Sequence, residues 1–347
     1  MLKIFDHIPP GFLHTPASGL EDLLGGPSLI HLPGRRQEPL FVSVLLHGNE
    51  DTGLLALQRL LEKYRDTELP RALSLFVGNV SAARLGLRRL EGQPDYNRIW
   101  PGAETSGTPE HALMAEVYGR MKRRGVFASI DLHNNTGLNP HYACVNRVDH
   151  RFFQLATLFS RTVVYFIRPK GVQSQAFAEL CPAVTVECGQ VGERSGVDHA
   201  AEFVDACLHL SSIPEHPVAE HDLNLFHTVA TVKLVEGVEV LAGEGGGGDL
   251  TLAGDLDHLN FRELPAGTVL GRVADESRPV LCAIDEQGED VTSRFLHCRD
   301  HQIRLSRPVM PSMLTLDTRV IRQDCLCYLM ERMDVFHGGH AAAVVQS

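Results

Sequence analysis

The chain has 347 residues, is 44% hydrophobic and 22% charged, and carries a formal net charge of −11. That length supports a large core and more than one domain. With no long basic run, the acidic balance excludes a nucleic-acid surface built on lysine and arginine, and no apolar run approaches the roughly eighteen residues of a membrane-spanning helix.

The first residues, Met1-Leu2-Lys3-Ile4-Phe5-Asp6-His7, have no basic region followed by an apolar stretch, so no secretory signal is read and a cytoplasmic location is expected. The eight cysteines are scattered and form no CxxC pair. They are expected to be reduced core thiols, not a disulfide framework or a cysteine metal site. The first forty residues, rich in Pro and Gly, read as a leading hairpin or as edge strands. From residue 40 to about 212, strand-like and helix-like stretches alternate. Strands are predicted at 40–46, 73–78, 126–131, 163–167 and 183–187, and helices at 53–64, 109–123, 149–160 and 199–211. Such alternation predicts an α/β fold, a mostly parallel or mixed sheet flanked by helices.

Near residue 213 the character changes. Ile213-Pro214-Glu215-His216-Pro217 reads as a linker. Short β-rich runs follow at 228–235, 238–241, 268–273, 279–284, 302–305 and 324–330, and the glycine tract 243–249 reads as a mobile loop. The expected organisation is a catalytic domain over 1–212 and a smaller C-terminal β domain over 213–347. The terminal His337-Gly338-Gly339-His340 reads as surface chain rather than a metal pair.

Four stretches carry chemistry. Leu45-Leu46-His47-Gly48-Asn49-Glu50 follows the apolar run Leu40-Phe41-Val42-Ser43-Val44 and precedes a helical pattern. His47 and Glu50 thus sit at the carboxyl end of a strand, where open α/β sheets collect ligands. Ser129-Ile130-Asp131-Leu132-His133-Asn134-Asn135 repeats the arrangement and adds His133. His47, Glu50 and His133 form a His₂Glu set, the ligand type of catalytic zinc sites that keep a position for water. Asp131 either orients a histidine ligand or caps the turn. Ala183-Val184-Thr185-Val186-Glu187-Cys188-Gly189 ends a buried-looking strand in a carboxylate. Glu187 then either pairs with an arginine or, beside a metal, serves as a general base. Cys188 is a weaker candidate as a nucleophile. Finally, Asp95-Tyr96-Asn97-Arg98 follows Arg84, Arg88 and Arg89 and offers donors suited to a carboxylate.

Together, HGNE, the Asn-Arg pair, DLHN and the strand ending in Glu before Gly resemble the succinylglutamate desuccinylase/aspartoacylase family of zinc carboxypeptidase-like hydrolases. The resemblance covers roughly residues 35–212 and implies one Zn²⁺ per chain, held by His47, Glu50 and His133. It implies that Glu187 is the base for metal-activated water and that Asn97 and Arg98 bind a substrate carboxylate. It also implies an upstream arginine, Arg89 or Arg88, that polarises the scissile carbonyl. The expected activity is removal of an acyl group from a small N-acyl amino acid. The competing readings are a zinc carboxypeptidase acting on small peptides and a non-catalytic small-acid-binding protein. No nucleic-acid or membrane partner is expected, and homo-oligomer formation is compatible with the sequence. Family members place a second carboxylate-binding arginine about ten residues before the catalytic Glu. This chain has Gln173-Ser174-Gln175-Ala176-Phe177 there, and Gly78-Asn79-Val80 where the family has Gly-Asn-Pro.

Overall fold

The structure, a computed structural model, describes residues 1–135, 137–243 and 247–335. His337, His340 and part of the glycine tract lie outside the described residues. The chain forms two compact units. One holds Met1–Asn134 and His141–Asn224 with Val335, the other Asn135–Pro140 and Leu225–Asp334.

In the first unit the strands are β1 (Lys3–Phe5), β2 (Ser28–Leu32), β3 (Gly34–Val44), β4 (Leu69–Val77), β5 (Ala128–His133), β6 (Tyr142–Val145), β7 (Thr162–Tyr165) and β8 (Ala183–Glu187). Their order across the sheet is β1-β2-β4-β3-β5-β8-β6-β7. The central run β4-β3-β5-β8 is parallel. The β2–β4 and β6–β8 pairs are antiparallel, so the sheet is mixed around a parallel centre. Parallel strands buried on both faces need near-continuous apolar sequence, and Leu69–Val77 is buried at every position.

The helices are α1 (Leu20–Leu24), α2 (Thr52–Lys63), α3 (Val80–Arg84), α4 (Pro109–Arg124), α5 (His150–Thr157), α6 (Gln173–Phe177) and α7 (Arg194–His209). Helix α4 shows why its boundaries were legible. The Thr108 side chain accepts from the His111 N–H as N-cap, Pro109 opens the first turn, and Lys122, Arg123 and Arg124 face the dipole at the end. Two expectations are corrected. The N-terminal segment is not a hairpin, because β1 pairs with β2 in parallel and α1 lies between them; the edge-strand reading holds for β1. Strand β6 and helix α6, four and five residues long, were not anticipated.

Strands β3, β5 and β8 end at one edge of the sheet, and the chain leaves β3 through a tight path. Leu45 is fully buried yet has φ 56°, a left-handed conformation that costs a non-glycine residue energy and recurs at functional sites. Three residues on, Gly48 packs so closely on α3 that an added Cβ would stand 2.2 Å from the Ala83 backbone nitrogen. Its own N–H donates to the Arg88 carbonyl oxygen over 3.1 Å, tying the turn to the arginine loop. A methyl group has no flexible neighbour to displace there. Gly48→Ala is therefore expected to destabilise the protein by about 3 kcal/mol or more, read as a lower urea midpoint with unchanged slope. A midpoint within error of wild type would show that α3 yields.

The second unit holds β9 (Asn224–Leu234), β10 (Val240–Ala242), β11 (Leu250–Leu252), β12 (Val269–Val273), β13 (Leu281–Asp285), β14 (Leu296–Arg299), β15 (Gln302–Leu305), β16 (Met310–Ser312) and β17 (Cys327–Arg332). Both β13 and β17 pair antiparallel with β9, and β16 pairs with β17. A separate five-stranded sheet runs β10-β11-β12-β15-β14. Its core gathers Val232, Leu256, Ala283, Phe295, Leu314 and Leu326. Among the described residues no helix is long and apolar enough to cross a membrane.

Candidate metal centre

The parallel pairing of β5 and β8 sets His133 level with Glu187, and the turn after β3 brings His47 and Glu50 to the same edge. His47, Glu50 and His133 are 4%, 6% and 4% exposed. One ligand atom from each lies within 4.8 Å of the others, so the trio could hold a metal ion. The two rings present the same nitrogen inward. His47 Nδ1 is 2.8 Å from Glu50 Oε1, and His133 Nδ1 is 2.7 Å from Glu50 Oε2.

The outer nitrogens are held by carboxylates. His47 Nε2 lies 3.0 Å from Asp95 Oδ1. His133 Nε2 lies 2.8 Å from Asp131 Oδ2, and Asp131 also accepts from the Ser43 hydroxyl over 2.6 Å. Each ring thus has an outer N–H anchored on an acid and an inner nitrogen aimed at Glu50, the arrangement that fixes tautomer and orientation in metal-binding histidines. Asp131, which is fully buried, orients His133 and does not merely cap a turn.

Burial opposes charge throughout the cluster, and the facing groups overcome it. For His47, burial and Arg88 lower the pKa, but Glu50 and Asp95 outweigh them and it is raised. His133 is raised well above its usual range because Asp131 and Glu50 outweigh burial. Glu50 shows the converse, lowered by His47 and His133 against burial. The short distances from both inner nitrogens to Glu50 are those of charge-assisted hydrogen bonds. A divalent cation bound by the same three groups would take over the neutralising role of their protons, so the donor set fits zinc.

Glu187 differs from these acids. It is 6% exposed, and its Oε2 is buried with no hydrogen-bond partner. Burial pushes its carboxyl up to about 7, with His133 acting in the opposite sense. Cys188 beside it is fully buried, and burial raises its thiol well above the usual range, so a thiolate nucleophile has no support there.

In the Asp95–Arg98 loop, Asn97 is 6% exposed and both ends of its amide are engaged. Its Oδ1 accepts from the Gln173 N–H over 2.8 Å, and its Nδ2 lies 3.1 Å from His133 Nε2. Arg98 turns an NH1 to the Asn97 carbonyl oxygen over 2.8 Å. The two adjacent arginines part company. Arg88 donates to Asp95 Oδ2 from Nε and NH2, over 3.3 and 3.0 Å, and its NH1 stands 3.6 Å from Glu50 Oε1. Arg89 NH1 instead donates to the Gln93 carbonyl oxygen over 2.7 Å. The sequence reading passed over Asp95, whose contact with His47 spans 48 residues; its place just before the Asn-Arg pair was the one available signal.

Comparison with known proteins agrees with this architecture. The family model for the succinylglutamate desuccinylase/aspartoacylase catalytic domain matches residues 37–212, just over half of the chain. Among solved structures, a succinylglutamate desuccinylase from Chromobacterium violaceum is similar with a TM-score of 0.55 at 19% identity, over 87% of this chain and 86% of that one. A product-bound ectoine utilization protein from Ruegeria pomeroyi is similar with a TM-score of 0.53 at 15% identity, over 88% of each chain. Murine aminoacylase 3 is similar with a TM-score of 0.52 at 14% identity, over 86% of this chain and 96% of that one. No curated protein sequence matches significantly. At these identities the solved structures speak for the fold, and the family model covers the stretch that contains His47, Glu50, Asp95, His133 and Glu187. The chain belongs to the succinylglutamate desuccinylase/aspartoacylase family, whose named members are hydrolases of acylated amino acids.

Proposed function

We propose that the protein is a zinc-dependent amidohydrolase that removes the acyl group from a small N-acyl amino acid. The observation that carries the reading is the meeting of two inward Nδ1 atoms on Glu50, with Glu187, its Oε2 buried and without a hydrogen-bond partner, in register beside His133. His47, Glu50 and His133 would hold the metal. When bound, zinc supplies Lewis-acid polarisation of a carbonyl and lowers the pKa of water towards roughly 7.

The remaining work falls to side chains of this chain. Glu187 Oε2 accepts a proton from the attacking water. The water oxygen joins the acyl carbon, the C–N bond breaks, and Glu187 returns the proton to the departing amine nitrogen. A carboxyl with a pKa of about 7 suits both transfers. Arg88, held by Asp95 and 3.6 Å from Glu50, would stabilise the developing oxyanion. Arg89, committed to the Gln93 carbonyl, supports the loop. Asn97, its Nδ2 beside His133 and its Oδ1 held by the Gln173 N–H, offers amide hydrogens to the substrate carboxylate, which Arg98 also receives.

Where the resemblance expects a further arginine, α6 supplies Gln173, Ser174 and Phe177, all buried and uncharged. The Ser174 hydroxyl donates to Asn146 Oδ1 over 2.7 Å, and Gln173 Nε2 donates to the Ser129 hydroxyl over 2.6 Å, so neither brings a positive charge to the site. The preferred amino acid therefore carries a neutral side chain. The test is amine release by zinc-loaded protein from a panel of N-acyl amino acids, with dipeptides alongside. Release from neutral N-acyl amino acids above acidic ones is expected. Release from dipeptides alone would move the assignment to a carboxypeptidase, and binding without turnover would make the protein a small-acid sensor.

A further inference from the structure

A second histidine pair lies in the first unit, outside the candidate centre. His141, just before β6, and His199, on α7, place their Nδ1 atoms 3.3 Å apart. Their ring centroids are 5.0 Å apart with the planes at 77°, close to the 4.9 Å and 60° of His47 and His133. The tautomer of His199 follows from its surroundings. The Phe159 carbonyl oxygen can only accept, so His199 Nε2 donates to it over 2.7 Å and Nδ1 is left with a lone pair.

The outer edge of the His141 ring faces Gly189: a methyl group built there would stand 2.9 Å from His141 Nε2 and 2.8 Å from Glu193 Oε2, so the ring and a carboxylate border the same glycine. Burial and His199 lower the pKa of His141, with Glu193 acting against them, so the ring is neutral near pH 7. A neutral ring carries one proton. On Nδ1 it makes a simple hydrogen bond to His199. On Nε2 it leaves two lone pairs facing each other across 3.3 Å, an arrangement that a cation between them would stabilise.

We propose that His141 and His199 form a second, weaker divalent-metal site, taking zinc or a similar borderline cation through both Nδ1 atoms. Two nitrogens bound at about 2.0–2.1 Å in tetrahedral geometry stand about 3.3 Å apart, which is the spacing already present. The outer partner of His199, the Phe159 carbonyl oxygen, is of a kind that metal-binding histidines use. The Phe159 ring, 4.4 Å from the His199 ring by centroids, covers one side. Both histidines are only half-buried, so solvent can fill the remaining positions. With two protein ligands against three, this site fills after the His47–Glu50–His133 centre.

The test uses protein carrying one equivalent of zinc, dialysed against rising Zn²⁺ with metal analysis. A second equivalent is expected in wild type and is expected to be lost in both His141→Gln and His199→Gln, with the first equivalent retained. In wild type itself, long-range ¹H–¹⁵N spectra should show two imidazole Nδ1 signals moving as the second equivalent enters, which needs no variant to fold. Uptake of a single equivalent, retention of the second in both variants, or unmoved Nδ1 signals would each overturn the site. First-equivalent binding and turnover are read in the same samples, so a failure of the deacylase assignment registers separately.

Discussion

Glu187→Gln is expected to lower kcat by roughly 10²–10⁴-fold, the usual worth of a positioned general base, while zinc content stays at one per chain. The two side chains have the same shape, and Glu187 makes no hydrogen bond through Oε2 that the amide would break. The three groups facing the metal position are untouched, since Glu50 is held by His47 and His133 and not by Glu187. What changes is proton affinity. An amide cannot take a proton from water near neutrality, so the step that makes the nucleophile fails while binding survives. Stability should not suffer, because the substitution removes a charge from a site where burial already disfavours it. The measurement is kcat and KM on the best substrate of the panel, with metal analysis of the same sample. Near-normal turnover would show that another group accepts the proton.

The parts of this centre that sequence could foretell are those set by local pattern. Leu40–Val44 and Ala183–Val186, apolar but for Ser43 and Thr185, announce buried strands, and the His47 and Glu187 that follow mark the edge where chemistry collects. Thr108-Pro109 announces α4 by its capping chemistry. Strand β6 escaped because four residues, Tyr142–Val145, carry too little periodicity to distinguish strand from loop. Helix α6 escaped because Gln173 and Ser174 look like surface residues, yet both are fully buried through bonds to side chains distant in sequence. The choice between Arg88 and Arg89 was out of reach for the same reason. Adjacent residues point apart, and which one meets Glu50 depends on the Gly48–Arg88 backbone bond and on Asp95. His141 and His199, 58 residues apart, belong to no motif and become a pair only once β6 and α7 are placed.

The largest loss is expected for His133→Ala, which should abolish tight zinc binding and destabilise the metal-free protein as well. His133 is the hub of the centre: Nδ1 faces Glu50, and Nε2 faces Asp131 and Asn97. Asp131 is fully buried and Glu50 nearly so. Without the ring, two buried carboxylates lose a shared cationic partner, and breaking a buried ion pair from one side costs roughly 3–5 kcal/mol. Wild type should also gain stability when zinc is added, by about 2.7 kcal/mol at a hundredfold excess over Kd, and the variant should gain none from this centre. Thermal melts of metal-free and one-equivalent samples separate the two effects. A lower Tm in the metal-free variant reports the stranded acids, and a melt unmoved by the first equivalent of zinc reports the missing ligand. A variant that keeps one tightly bound zinc and its stabilisation would place the catalytic metal away from His47 and Glu50. The chemistry assigned to Glu187 would then lose its setting, because its place in the reaction rests on standing level with His133.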